Sequence, residues 1–205
     1  MMARDQYLEP YRQSAETHGA DFGVTLWASM RSQQRRFEVF AELCDMTGRH
    51  VLDAGCSRGD FAEFLIDAGV GFESYVGVDG LPSVIEHAQR RGLSRCTFVA
   101  GDFLVDPGLL AVNQPQVVCI SGSLNTMTDR QAATVLESAW DACGETLLFN
   151  FLADIAGPLA PPQLKPARRM DALRFIKWAA RRTGKVTYRQ DYLPHGHDGT
   201  IMMRR

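Results

Sequence analysis

At 205 residues, with 45% hydrophobic and 22% charged side chains, the chain suits one globular domain with an ordinary core. No apolar run reaches the roughly 18 residues of a membrane span, and "MMARDQYLEPYRQ" lacks the basic-then-apolar order of a secretory leader. The net charge of −2 hides a contrast: residues 1–163 carry 11 Lys/Arg against 21 Asp/Glu, whereas residues 164–205 carry 11 against 3.

In chain order, residues 1–33 read as an N-terminal helical cap carrying Tyr7, Tyr11, His18 and Trp27, and 34–205 as the body. "SQQRRFEVFAELCD" predicts a helix that leads into a short strand, "HVLDA". "GDFAEFLIDAG" has helical spacing at Phe61, Phe64, Leu65 and Ala68, with Gly69 as its stop. "SYVGVD" is a second strand, and Pro82 opens a helix that Gly92 closes. "CTFVA" and "QVVCIS" are strands three and four, followed by a helix capped by Thr128 and a fifth strand, "ETLLFNF". Short, nearly all-apolar strands alternating with helices predict a parallel sheet covered on both faces. "GPLAPPQLKP", with four prolines in ten residues, is a loop. "ARRMDALRFIKWAARRTG" predicts a helix with Met170, Leu173, Ile176 and Trp178 near one face. "KVTYRQDYLPHGHDGTIMMRR" predicts two strands joined at "PHGHDG". Cys44, Cys56, Cys96, Cys119 and Cys143 show no CxxC spacing and read as reduced, buried thiols of a cytoplasmic protein.

The informative stretch is "HVLDAGCSRGDF". A glycine-rich turn after a parallel strand lets backbone approach a ligand, and the following helix offers unpaired N–H groups. A phosphate loop is excluded, because no lysine precedes Lys165. The dinucleotide spacing GxGxxG is also missing, since the glycines run Gly55-x-x-x-Gly59. Asp53 stands two residues before the first glycine, unwelcome to a pyrophosphate but not to a ligand with ammonium and sulfonium centres.

On these residues the chain resembles the class I S-adenosylmethionine-dependent methyltransferases over about residues 34–205. "VLDAGCSRGDFAEFL" is similar to their first motif, "YVGVDGLP" to the acidic end of the second strand, and "FVAGDFL" and "VVCISGSLNTM" to the third- and fourth-strand motifs. Ser57 departs from the pattern, which commonly has glycine there. The resemblance implies a Rossmann-like seven-stranded mixed sheet, mostly parallel with the last strand antiparallel, and helices on both faces beneath the N-terminal lid. It implies S-adenosylmethionine as cofactor, with S-adenosylhomocysteine as product. Asp79, with Gly80 and Leu81, would accept the ribose hydroxyls in a charge-assisted bidentate contact. Asp102, after Gly101, would accept the adenine amine while Phe103 or Leu104 packs on the ring. Asp53 would act on the methionine end or hold the loop of Gly55, Cys56, Ser57 and Gly59. Ser121, Gly122 and Ser123 would meet the amino acid part.

Methyl transfer from a sulfonium expels a neutral thioether, so no general acid is required and a base only if the acceptor must lose a proton. The last hairpin is expected to overhang the site with Tyr192, His195, His197 and Asp198 at its rim. His195-x-His197 could then be a base, a substrate clamp or a metal-ligand pair, or a plain polar hairpin tip; no metal is expected. Tyr11, His18, Trp27 and Asn125 are candidates for acceptor contact. "SGSLNTM" lacks the [DN]PP[YF] pattern of nucleic-acid amino-methyltransferases, which favours a small-molecule acceptor, acidic or phenolic. The basic C-terminal segment keeps RNA as the second class, and a cofactor-binding subunit without its own activity is the third. No membrane partner is expected, and a monomer or homodimer is.

Overall fold

The computed structural model describes residues 6–194 and 196–205. A 3-10 turn at Gln6–Leu8 leads into α1 (Glu9–His18), a second 3-10 turn at Phe22–Thr25 and α2 (Met30–Leu43). The alternating body follows: β1 (His50–Ala54), α3 (Asp60–Asp67), β2 (Ser74–Asp79), α4 (Pro82–Arg90), β3 (Cys96–Ala100), β4 (Val117–Ile120), α5 (Asp129–Ala142) and β5 (Thr146–Leu152). It ends with α6 (Ala172–Ala180), β6 (Val186–Arg189) and β7 (Asp198–Arg204). Position 33, where the sequence places the edge of the cap, falls inside α2.

The strands form one sheet in the order β3-β2-β1-β4-β5-β7-β6. Strands β1 to β5 pair in parallel, and β7 runs antiparallel between β5 and β6. The seven-stranded mixed sheet with an antiparallel last strand is therefore as expected. Helices cover both faces. On one, α2 and α3 set Phe37, Phe40, Phe61 and Leu65 against Val51 and Tyr75. On the other, α5 and α6 set Val135, Leu136 and Phe175 against Leu52, Phe149 and Ile201.

Local chemistry explains the ends of the helices. Thr128 and Gln131 form a reciprocal capping box at the start of α5, and Asp171 caps α6 by accepting the Arg174 N–H at 2.8 Å. The predicted inner face of α6 needs correcting. Ala172, Phe175 and Ala179 are its buried residues, Leu173 is 53% exposed, and Met170 is buried ahead of the helix, bridged to Ala153. The helix starts after Asp171, so the periodicity must be counted from Ala172.

Order changes direction between β1 and β4, each of which connects to the opposite side of the sheet. A crevice at the carboxyl ends of such a pair is where open α/β sheets bind ligands.

Candidate active site

A cavity of about 470 Å³ opens at that crevice. Its floor comes from the strand ends: Gly55 and Ser57 after β1, Asp79 to Leu81 after β2, Phe103 after β3, and Ser121 to Ser123 after β4. The cap supplies Tyr7, Leu8, Tyr11 and Trp27, and the proline-rich segment supplies Pro161 to Ala167.

Two glycines are required here by space as well as by backbone. Gly55 lies at φ +85°, and a Cβ on it would stand 1.8 Å from Ser123 Oγ. Gly122, at φ +79°, faces the Trp27 ring, 2.5 Å from where a Cβ would be. Ser57 also takes a left-handed φ, +48°, which accounts for glycine being the common residue at that position. Its N–H donates to Asp79 Oδ2 at 2.9 Å, and the Leu81 N–H donates to Asp79 Oδ1 at 2.9 Å. Burial raises the Asp79 carboxyl above the usual range, and these N–H donors oppose the rise. The acid thus ties the β1 loop to the β2 turn while its remaining lone pairs stay available.

Asp102 lies behind the cap, next to Phe103 but not itself among the residues that line the cavity. Its Oδ1 accepts the Tyr7 hydroxyl at 2.6 Å and the Leu104 N–H at 2.9 Å, and its buried Oδ2 has no partner among the described residues. Asn125 lines the cavity and uses Oδ1 to accept the Leu152 N–H at 2.9 Å. Burial pushes the Tyr11 phenol up to about 12.

Several predicted residues lie elsewhere. Asp53 shares the α2/α3 face with Val51, since alternate strand residues point to opposite faces. It is buried, accepts the Tyr75 hydroxyl at 2.5 Å, and does not line the cavity. Cys56 turns the same way, its sulfur against Gly77. Gly59, at φ +78°, makes room for the Phe98 ring rather than for a ligand, and Gly101 for Leu109. His18 packs beside Gly23 outside the cavity. Tyr192 is buried away from the rim, sharing a 2.8 Å hydrogen bond with Thr200. Asp198 opens β7 and is buried instead of standing at a hairpin tip. Of the two histidines, His197 lines the cavity, with Nε2 3.3 Å from Asp198 Oδ2, while His195 lies outside the described residues.

Burial, reinforced by Asp79 and Asp60, raises the Asp53 carboxyl from 3.8 to about 7 despite the Tyr75 bond. Between those values the folded chain holds a proton that the unfolded chain has lost. Stability should therefore fall as pH rises from about 4 to 7, by up to about 1.4 kcal/mol per pH unit. Asp53→Asn should flatten that slope, which urea denaturation at pH 5.5 and 7.5 will measure. Equal slopes in both proteins would remove Asp53 as the source.

Reasoning from sequence missed Arg36. It is 5% exposed, donates Nε to Asp198 Oδ1 at 2.8 Å, and lies 4.3 Å above the Trp27 ring centroid. It also missed the cavity-lining role of Lys165 and Arg169, although the proline cluster beside them marked a rigid segment near the site.

Residues 51–145 match the model of a family described as a methyltransferase domain. The chain carries the fold of the class I methyltransferases. The fold is shared by DhpI in its complex with SAM and HEP (TM-score 0.67, 18% identity, 98% of this chain and 96% of that one). It is shared too by magnesium protoporphyrin IX methyltransferase (ChlM) from Synechocystis PCC 6803 with bound SAH (TM-score 0.65, 16% identity, 98% and 97%). In sequence, the chain is 32% identical over 108 residues to ribosomal RNA large subunit methyltransferase E of Brachyspira hyodysenteriae. That match covers 49% of the chain and 52% of the relative, so the chain spans about half the length of this curated relative.

DhpI and ChlM hold SAM and SAH in those structures, and the residues present here fit S-adenosylmethionine. Gly55 and Gly122 leave bare backbone, Asp79 offers a half-buried carboxylate on the cavity wall, and Asp102 Oδ2 is a buried acceptor without a partner among the described residues. Among the described residues no helix is long and apolar enough to cross a membrane.

Proposed function

We propose that the protein transfers a methyl group from S-adenosylmethionine to a small acidic or phenolic acceptor enclosed beneath the N-terminal cap. The single observation that carries this reading is the wall of the cavity. Cap aromatics and the Pro161–Ala167 strap both line it, with two cations, Lys165 and Arg169, among the described lining residues beyond the paired Arg36. When bound, the donor supplies an electrophilic methyl on a sulfonium. The work left to this chain is alignment and exclusion of water, which together can lower a barrier by several kcal/mol. Asp79 would hold the ribose, Gly55 and Ser121 to Ser123 the amino acid end, and Trp27, Tyr11 and Asn125 the acceptor.

The charge of the lining supports an anionic acceptor. Arg36 is neutralised by Asp198, which leaves Lys165 and Arg169 as the lining cations among the described residues. Other arginines of the basic segment are engaged locally: Arg168 with Asp129 at 2.9 Å, Arg189 with Glu42 at 2.6 Å, and Arg182 with Glu137. They serve a solvated surface rather than a phosphate track. His197, beside Asp198, is the remaining candidate base.

The test is a screen of metabolite acceptors with labelled donor, scoring release of S-adenosylhomocysteine. For an anionic hit, Lys165→Ala with Arg169→Ala should raise KM roughly tenfold to a hundredfold, the loss of one or two charge-assisted hydrogen bonds, while Kd for S-adenosylhomocysteine stays within about twofold. A neutral acceptor, or an unchanged KM, would sink the anionic reading. RNA is the second reading, favoured by the likeness to a ribosomal RNA methyltransferase. Steeply salt-dependent retention of rRNA would promote it. Binding of the donor with no turnover on any acceptor would instead indicate a non-catalytic subunit.

A further inference from the structure

Resting on the donor reading above, we propose that Tyr7 of the cap is a positioning residue of the adenine subsite. Its phenol fixes the Asp102 carboxylate so that one oxygen remains to select the exocyclic amine of the donor.

Asp102 Oδ1 is saturated. It accepts the Tyr7 hydroxyl at 2.6 Å, the Leu104 N–H at 2.9 Å and the Val105 N–H at 3.4 Å. Oδ2 is buried and has no partner among the described residues. A buried carboxylate oxygen without a donor is costly, and folded chains rarely leave one unless something else completes it. The neighbours of both partners face the ligand space: Phe103 follows Asp102, Leu8 follows Tyr7, and both line the cavity, as Tyr7 itself does. Leu8 also presses on the β2 turn, since a Cβ on Gly80 would stand 2.8 Å from its Cδ1. The cap is therefore built onto both ends of the adenosine site. Burial and the adjacent Asp102 hold the Tyr7 phenol far above its usual range, so it stays protonated as a donor at any working pH.

A tyrosine that merely pinned the cap would affect all adenosine-site ligands alike. A positioning role instead predicts selectivity for the amine. The experiment compares Kd for S-adenosylhomocysteine with Kd for its inosyl analogue, in which a carbonyl replaces the exocyclic amine, using the full chain and calorimetry. Wild type should prefer the amine by about tenfold or more, the value of a hydrogen bond to a charged group. In Tyr7→Phe the preference should shrink severalfold. Asp102→Asn gives a second reading that survives any loss of stability in the first variant. With Tyr7 and Leu104 donating, the amide oxygen must occupy the Oδ1 position. The amide NH₂ then faces the ligand, and the preference should invert toward the inosyl carbonyl. Equal weakening of both ligands in Tyr7→Phe, or no inversion in Asp102→Asn, overturns the proposal. If wild type binds neither ligand, it is the donor reading that has failed, and this inference falls with it.

Discussion

Asp79→Ala is expected to weaken binding of S-adenosylhomocysteine about a hundredfold or more. Two hydrogen bonds from ribose hydroxyls to a half-buried carboxylate are together worth about 3 kcal/mol. The substitution removes more than a ligand contact. In the intact protein each carboxylate oxygen accepts one backbone N–H, from Ser57 and from Leu81, both at 2.9 Å. Ser57 is held at φ +48°, a conformation serine adopts only when its surroundings insist. Without the carboxylate the two N–H groups lose their acceptor and the loop loses its tie to β2. Asp79→Asn, which keeps one acceptor oxygen and the side chain's shape, should fall between alanine and wild type. Titration calorimetry decides the matter, and an unchanged Kd in the alanine variant would take Asp79 out of the site.

What could be read from sequence was set by short-range patterning, and what could not was set by distance along the chain. Alternating strand and helix periods placed the elements of the sheet, and the glycines at the ends of β1, β2 and β4, with Asp79 beside the second, marked the floor of the cavity. Asp53 shows a signal that was present but unused. It lies two residues from Val51 and one from Leu52, so strand parity alone puts it on the face away from Leu52 and Ala54, whose side chains lie on the opposite face. Tyr7–Asp102 and Arg36–Asp198 are different. Their partners are 95 and 162 residues apart, and no local period links them. The hairpin was foreseen as a hairpin, but its turn lies before Asp198, which starts β7 by pairing with Leu152. A two-residue difference in where a strand begins decides whether that acid meets solvent or the core.

Arg36 connects these long-range contacts and gives the largest expected effect on stability. Arg36→Met should destabilise the protein by about 3–5 kcal/mol, the cost of leaving one member of a buried ion pair without its partner. Arg36 and Asp198 are 5% and 2% exposed, so water cannot step in. Arg36 Nη1 also donates to the Ser32 carbonyl at 2.6 Å within α2, and its guanidinium covers the Trp27 ring at 4.3 Å. Trp27 in turn fills the space opposite Gly122, so freeing the ring should also loosen the cavity wall and raise the Kd for the donor. Coupling the change to Asp198→Leu separates the two effects. Replacing both charges by apolar groups removes the uncompensated carboxylate, and stability should return most of the way. Donor affinity should stay impaired, because the cation over Trp27 is still missing. Urea denaturation and calorimetry on the two variants provide both readouts. If the single variant lies within about 1 kcal/mol of wild type, as exposed ion pairs do, the Arg36–Asp198 pair does not anchor the cap to β7.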